Sequence, residues 1–270
     1  MGKFNGKHLT GLVGETVSRR GKNGKTILQS KPGKYKQTKG TRRAAGVFGQ
    51  GISLACVIRK DLHFLIRDNY DGDMITRFNT PVNEVLRHCY DKETEKFTFE
   101  TDSFERLTGT EFNLKSPLIN SLWVSAQTML EGNILKIQLP EIEVGKQLKF
   151  PLRANVCELN IAVAVIALAP GLHKSAMHQS IEISKDQQIL PAQEFTFEIP
   201  DGCLCVAGIG LQYFSLHNQV KTVINSKTFN PAAVCGALVS PGSFVKPASQ
   251  NTPYYGRASE WMDITKLKLG

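Results

Sequence analysis

The sequence predicts an α+β chain: an N-terminal β-hairpin arm and a helical pair, followed by an antiparallel Ig-like β-sandwich. Three observations carry this. Two short runs rich in Thr, Val and Ile flank Asn23-Gly24 near the start. Apolar residues recur at three- and four-residue spacing between Arg42 and Arg67. Beyond Asp91, alternating runs follow one another at roughly ten-residue spacing with turn residues between them, the pattern of an antiparallel sandwich.

The arm comes first. Asn-Gly is the strongest two-residue hairpin signal, because both central positions of a type I′ turn need positive φ. Centred there, the turn pairs Arg20 with Ile27, Ser18 with Gln29 and Thr16 with Lys31. The two strands are Glu15–Lys22 and Lys25–Lys31, ended by Pro32-Gly33. A two-stranded hairpin alone is marginal in water, so this one must dock on its own body or on another copy. A polar linker, "KYKQTKGTRR", follows.

In the next segment Val47, Ile52, Ala55, Cys56, Arg59, Leu62 and Ile66 form one stripe, widened by Phe48, Ile58 and Leu65, as an amphipathic helix requires. Gly46, Gly49 and Gly51 weaken its first turns but leave room for a second backbone. "DNYDGD" breaks the helix, Asp73 is placed to cap a second one through about Tyr90, and Pro81 is placed to interrupt it. The β region then reads "KFTFET", "NILKIQLP", "KQLKFPL", "CELNIAVAVIALAP", "QSIEIS", "EFTFEIP", "CLCVAGIGLQYFS" and "VKTVIN". The fourth and seventh of these follow a similar aromatic strand, Pro and turn, which suggests the central strands of two facing sheets. The expected division is a basic arm and linker at 1–43, a helical pair at 44–92, a sandwich at 93–228 and an extended tail at 229–270.

The charge is unevenly placed. The first 43 residues hold twelve Lys/Arg and one acid, Glu15, a net +11. The remaining 227 carry 21 cations and 23 anions, a net −2. Such asymmetry marks an interaction segment on a nearly neutral body. The N-terminus lacks the apolar core of a secretory signal, and position 6 is Gly, against the myristoylation pattern. No apolar run reaches 18 residues, so no membrane span is expected. The expectation is synthesis in the cytoplasm, with six reduced cysteines packed as small hydrophobes.

The motifs of nucleotide binding and hydrolysis are missing. Gly208-Ile-Gly210 is followed by Tyr213 where a dinucleotide fingerprint needs Gly, and neither a P-loop, a G-x-S-x-G elbow nor an H-E-x-x-H pair occurs. Cys203 and Cys205 fall on one strand face and could join His217 at a metal, but zinc spacing is C-x₂₋₄-C, and core cysteines are the better reading. His88-Cys89 closes a helix, and His173 and His178 read as solvated loop residues. Asp68, Asp71 and Asp73 lack the twelve-residue calcium-loop pattern. The expectation is no enzyme, no cofactor and no metal.

The stretch "GLVGETVSRRGKNGKTILQSKPGKYKQTKGTRRAAGVFGQ" resembles the opening of a family of uncharacterised Bacteroidota proteins. Gly11, Gly14, Val17, Lys25, Ile27, Ser30 and Pro32 carry the likeness, over about forty-five residues of an N-terminal hairpin. Ser18-Arg19-Arg20 stands where many members have Trp or Tyr. The resemblance supplies no catalytic residue. It implies a non-enzymatic protein of mobile-element or surface-assembly origin.

The role expected from these features is a structural, self-associating subunit of a homo-oligomeric assembly. Val17, Ile27 and Leu28 would supply apolar docking and Arg19, Arg20, Lys22, Lys25, Arg42 and Arg43 the charge. Tyr254, Tyr255 and Trp261 would anchor the tail. The partner would be another copy or an acidic protein surface. The rival expectation is nucleic acid, bound through its phosphates by the same arm.

Overall fold

The computed structural model describes residues 2–21, 24–33, 36–246, 261–265 and 267–270. The chain is a mixed α and β protein with antiparallel sheets. It divides into two compact units, Met1–Arg43 and Ala44–Gly270.

The first unit is a four-stranded antiparallel meander of β1 (Lys3–Phe4), β2 (Leu9–Val13), β3 (Thr16–Arg20) and β4 (Thr26–Ser30). The expected two-stranded hairpin is thus only half of the sheet. β2 and β3 meet through the two-residue loop Gly14-Glu15, where Gly14 has φ 57°, as a glycine at the first loop position of a tight hairpin should. Between β3 and β4 the register differs from the expected one. Arg19 faces Ile27, Ser18 faces Leu28 and Arg20 faces Thr26, a slip of one residue. The reason is the turn chemistry. Gly24 sits at φ 73° and its N–H donates to Gly21 O, while Gly21 N–H donates to Lys25 O, so three residues lie between that pair. A one-residue slip exchanges the faces of every side chain on the strand.

Helix α1 (Lys39–Asp61) begins in the first unit and continues into the second. It starts three residues before the expected Arg42. Thr38 is the cause: its Oγ1 accepts the Thr41 N–H at 3.1 Å, an N-cap bond. The helix ends at Asp61, and α2 (His63–Ile66) follows, closed by Arg67 in the left-handed region at φ 48°. α3 (Met74–Cys89) runs through Pro81 without interruption, held by the buried Phe78, Val82, Val85 and Leu86. Asp73 occupies its N-cap position but makes no side-chain bond to the first turn. No helix among the described residues is long and apolar enough to cross a membrane.

The β layers follow β5 (Gln127–Glu131), β6 (Ile134–Leu139), β7 (Ile142–Glu143), α4 (Val144–Gln147), β8 (Val156–Ala167), β9 (Leu172–Ser184), β10 (Ile189–Leu190), β11 (Gln193–Glu198), β12 (Cys203–His217), β13 (Val220–Val223), β14 (Ala232–Val239) and β15 (Met262–Asp263). Three of the expected assignments are corrected. "KFTFET" forms only a bridge, Tyr90 to Phe97. "KQLKFPL" holds the end of α4 and a bridge from Leu148 to Leu122. The segment expected as an extended tail instead contributes β14, which pairs with β12 from Leu204 to Gly210.

The two long apolar strands are neighbours in one sheet, not the centres of facing sheets. β8 and β12 pair from Val156–Phe214 to Ala167–Cys203. Both are buried on both faces. Leu159, Ile161, Val163, Cys205, Ala207 and Ile209 point to one core, shared with Leu135, Ile137, Phe195 and Phe197 of the β5–β6–β11 sheet. Ala162, Ala164, Ile166, Leu204 and Val206 point to the other, shared with α1, α2 and α3. Helices, central sheet and small sheet make three layers, one more than a two-sheet sandwich. A strand covered on both sides loses its alternation and reads as a continuous apolar run.

Glycines set how close the layers come. A Cβ on Gly208 would stand 2.7 Å from Leu65 Cδ1, and one on Gly210 3.3 Å from Leu65 Cδ2, so α2 rests directly on β12. The C-terminal segment seals the same core with Ile264, Leu267 and Leu269, and the backbone of Leu267 lies against Gly171, at φ 68°. Gly51 packs against Asn83 of α3, whereas Gly46 and Gly49 face open space, so only one of the three helix glycines serves a close approach. Gly51→Ala is therefore expected to destabilise the body by about 1–3 kcal/mol through overpacking. Gly49→Ala, on the exposed side of the same helix, is expected to stabilise by about 0.5–1 kcal/mol. Urea denaturation of both variants reads the difference in sign.

Candidate interaction surface

The arm sheet is small and covers its apolar side chains only in part. Phe4 is 69% exposed and Leu28 67%, with Leu9, Leu12, Val13 and Ile27 also exposed. All five residues of β4 are exposed. The exception is Ser18, which is buried and whose hydroxyl donates to Leu9 O. Val17 stands between Leu12 and Gln29, half-buried. Arg19 and Arg20, adjacent in β3, project to opposite faces, so Arg19 shares a row with Ile27. Lys25 lies opposite Gly21 at the tip. Arg42 and Arg43 lie in the first turns of α1. Lys22, Tyr254 and Tyr255 lie outside the described residues.

Trp261 is half-buried in the body. Its ring meets Phe244 edge-on at 4.5 Å, and Lys174 Nζ lies 5.9 Å from its centroid. Burial lowers the Lys174 pKa from its ordinary value by desolvation.

The cysteine and histidine candidates are structural. The six cysteines are free. Cys203 and Cys205 point into the core between the sheets, and desolvation pushes both thiols up to about 12, so both are protonated at neutral pH. His217 is twelve residues beyond Cys205 on the same strand, on the order of 40 Å away along an extended chain. His173 and His178 are not loop residues: both lie on β9. His173 Nδ1 sits 3.0 Å from Asp61 Oδ2, and the His178 ring packs on Phe64 with centroids 4.7 Å apart. No group of three metal-ligating side chains occurs among the described residues.

The "DNYDGD" segment is a clamp. Asp71 receives two bonds from the Arg77 guanidinium, at 2.6 and 3.1 Å, and backbone N–H bonds from Asp73 and Leu114. Arg77 also donates to Glu111 O, and both Glu111 carboxylate oxygens accept the Leu118 N–H. Nearby, Asn230 donates to the carbonyls of Leu65 and Ile66, and Asn113 to those of Asn69 and Lys227. These bonds fix α2 and the loop after it against the segments 111–118 and 227–230.

Hollows indent the body among the described residues, and two of them are defined by their linings. One, of about 370 Å³, lies by Gln127, Gln138 and Gln193, where Gln138 already donates to Glu194 at 2.8 Å. The other, of about 320 Å³, is an aromatic groove lined by Phe97, Phe99, Leu168, Val239 and Phe244, with the Gly242 turn at its rim. Phe97 and Phe99 stack with centroids 6.0 Å apart, and both keep part of their surface in solvent. The sequence offered "KFTFET" as the only sign of it, and alternation there suggested a strand.

The chain matches no protein-family model and no curated protein.

The Arg77 guanidinium holds the Asp71 carboxyl well below the ordinary carboxylate range. The group is ionised more readily folded than unfolded. Its contribution is therefore present above the unfolded pKa of about 4 and lost as pH falls through lower values. Asp71→Asn is expected to cost about 1.5–3 kcal/mol at neutral pH, the range for hydrogen bonds to a charged group. The gap to the unsubstituted protein should shrink between about pH 4 and pH 2. Urea denaturation of both proteins across that range tests it.

Proposed function

We propose that the protein is a non-enzymatic, self-associating structural subunit, held to further copies by its N-terminal arm. The observation that carries this reading is the arm itself. It is a compact unit with net charge +11 and six exposed large apolar side chains, on a chain whose remainder is net −2. A sheet gains independent stability by covering an apolar face, and this one leaves Phe4 and Leu28 mostly in water and Leu9, Leu12, Val13 and Ile27 partly so. Its outer strand β4 also leaves one edge of backbone donors and acceptors without a strand partner among the described residues. Edges of this kind pair with other chains. The resemblance of the arm to uncharacterised Bacteroidota proteins belongs to the same proposal.

One observation favours the rival reading, that the arm binds nucleic-acid phosphates. The first turns of α1 carry Lys39, Arg42 and Arg43 and no acid. Cations at a helix N-terminus oppose the helix dipole, and a bound anion would relieve that opposition.

Both core clusters and the side chains packed on them begin at Val47, so removing residues 1–43 is expected to leave a folded body. In sedimentation on nuclease-treated samples, the full chain is expected to be oligomeric and the truncated chain monomeric. The same size for both overturns the self-association reading. Binding of the full chain to a DNA duplex that weakens steeply between 50 and 200 mM salt, with a monomeric full chain, establishes the rival.

A further inference from the structure

We infer that the aromatic groove of the body is the receptor for the β3–β4 tip of a second copy's arm. This rests on the self-association reading and names the surface it uses. Four observations converge on the groove. Its lining includes a stacked pair, Phe97 and Phe99, and Phe244 just after the Gly242 turn, and all three residues are partly in solvent. Ring faces of this kind attract guanidinium and ammonium groups. Second, the segment that supplies Phe97, Phe99 and Thr101 to the groove is acidic. Residues 91–105 hold six carboxylates and two lysines, a net −4, whereas the other 212 residues of the body sum to +2.

Third, the acids at the groove are uncommitted. Glu100 and Asp102 flank the lining residue Thr101 and are exposed. Asp201 is exposed too, and its Oδ2 lies 3.3 Å from the point a Gly242 Cβ would occupy, at the rim. None of the three forms a salt bridge among the described residues. The exposed lysines Lys96, Lys246 and Lys268 flank residues of the same lining. Fourth, the groove walls are fixed. Ser240, buried, accepts from Cys203 N–H at 2.9 Å and donates to Pro200 O at 2.6 Å, tying the two turns of the rim together.

The arm offers the complement. Arg19 and Ile27 share one face of the tip with Lys25 next to them at the turn, and Arg20 and Leu28 lie on the other face, all exposed. Cations over phenyl rings, carboxylates at the rim and an apolar filling for a hollow of about 320 Å³ make one consistent interface.

A charge swap in the full chain tests this. One variant reverses the groove, E100K/D102K/D201K. The other reverses the tip, R19E/R20E/K25E. All six positions are on the surface, and circular dichroism and thermal unfolding check that each variant folds. Sedimentation equilibrium is expected to show each variant dissociating at about tenfold lower salt-corrected affinity than the unsubstituted protein. Mixed in equal amounts, the two variants should associate again, because each reversed tip meets a reversed groove and each native tip a native one. If the tip variant dissociates while the groove variant stays associated, the arm keeps its role and the groove is not its receptor. If the mixture stays dissociated, the groove assignment also fails. A monomeric unsubstituted protein removes both the self-association reading and this one.

Discussion

Leu62 and Leu65 rest on a strip of β12 from which side chains have been removed. Gly208 and Gly210 make that contact possible, and the body is arranged around it. A helix lying directly on a strand places the helical layer within van der Waals reach of the sheet, so that alanines in β8 suffice to fill the space between. The opposite face of the same strands carries Leu159, Ile161, Val163 and Tyr213 toward the small sheet. The asymmetry of side-chain size across one sheet follows from which neighbour stands on each side. Interiors pack near crystal density, so neither gap tolerates the other's residues.

That constraint explains what was legible in the sequence. "CELNIAVAVIALAP" and "CLCVAGIGLQYFS" are apolar over most of their length, and a strand in each is what the structure contains. Their partnership was not legible. An apolar run reports burial on both faces but says nothing of what covers them, so two facing sheets and one sheet under helices write similar strings. The glycines of β12 entered the sequence reading as a failed nucleotide motif. Their actual meaning needs a leucine from α2, about 140 residues earlier in the chain, and no local pattern holds that information.

The arm shows the same limit at short range. The Asn-Gly pair correctly marks a hairpin, and the cation cluster around it is plain from composition. The loop length was not, because Gly24 serves a three-residue loop as well as a two-residue one. The consequence was large for so small a change: it decides which arginine shares a face with Ile27. The groove was the least legible feature. Phe97 and Phe99 alternate as a strand would, yet they stack on each other and on the aromatic cluster of Tyr90 and Phe104 instead of pairing in a sheet. Stacking at every second residue and strand alternation share one period.

Ile264, Leu267 and Leu269 close the helical core from the far end of the sequence. A chain emerging from the ribosome in order therefore presents α1, α2, α3 and the central sheet before the residues that cover them. Until Leu267 emerges, Gly171 and its surroundings lack the backbone that packs on them. Closure of the helical core in this sense waits on a segment far downstream of the helices it covers, and until that segment arrives the growing chain keeps an apolar surface open.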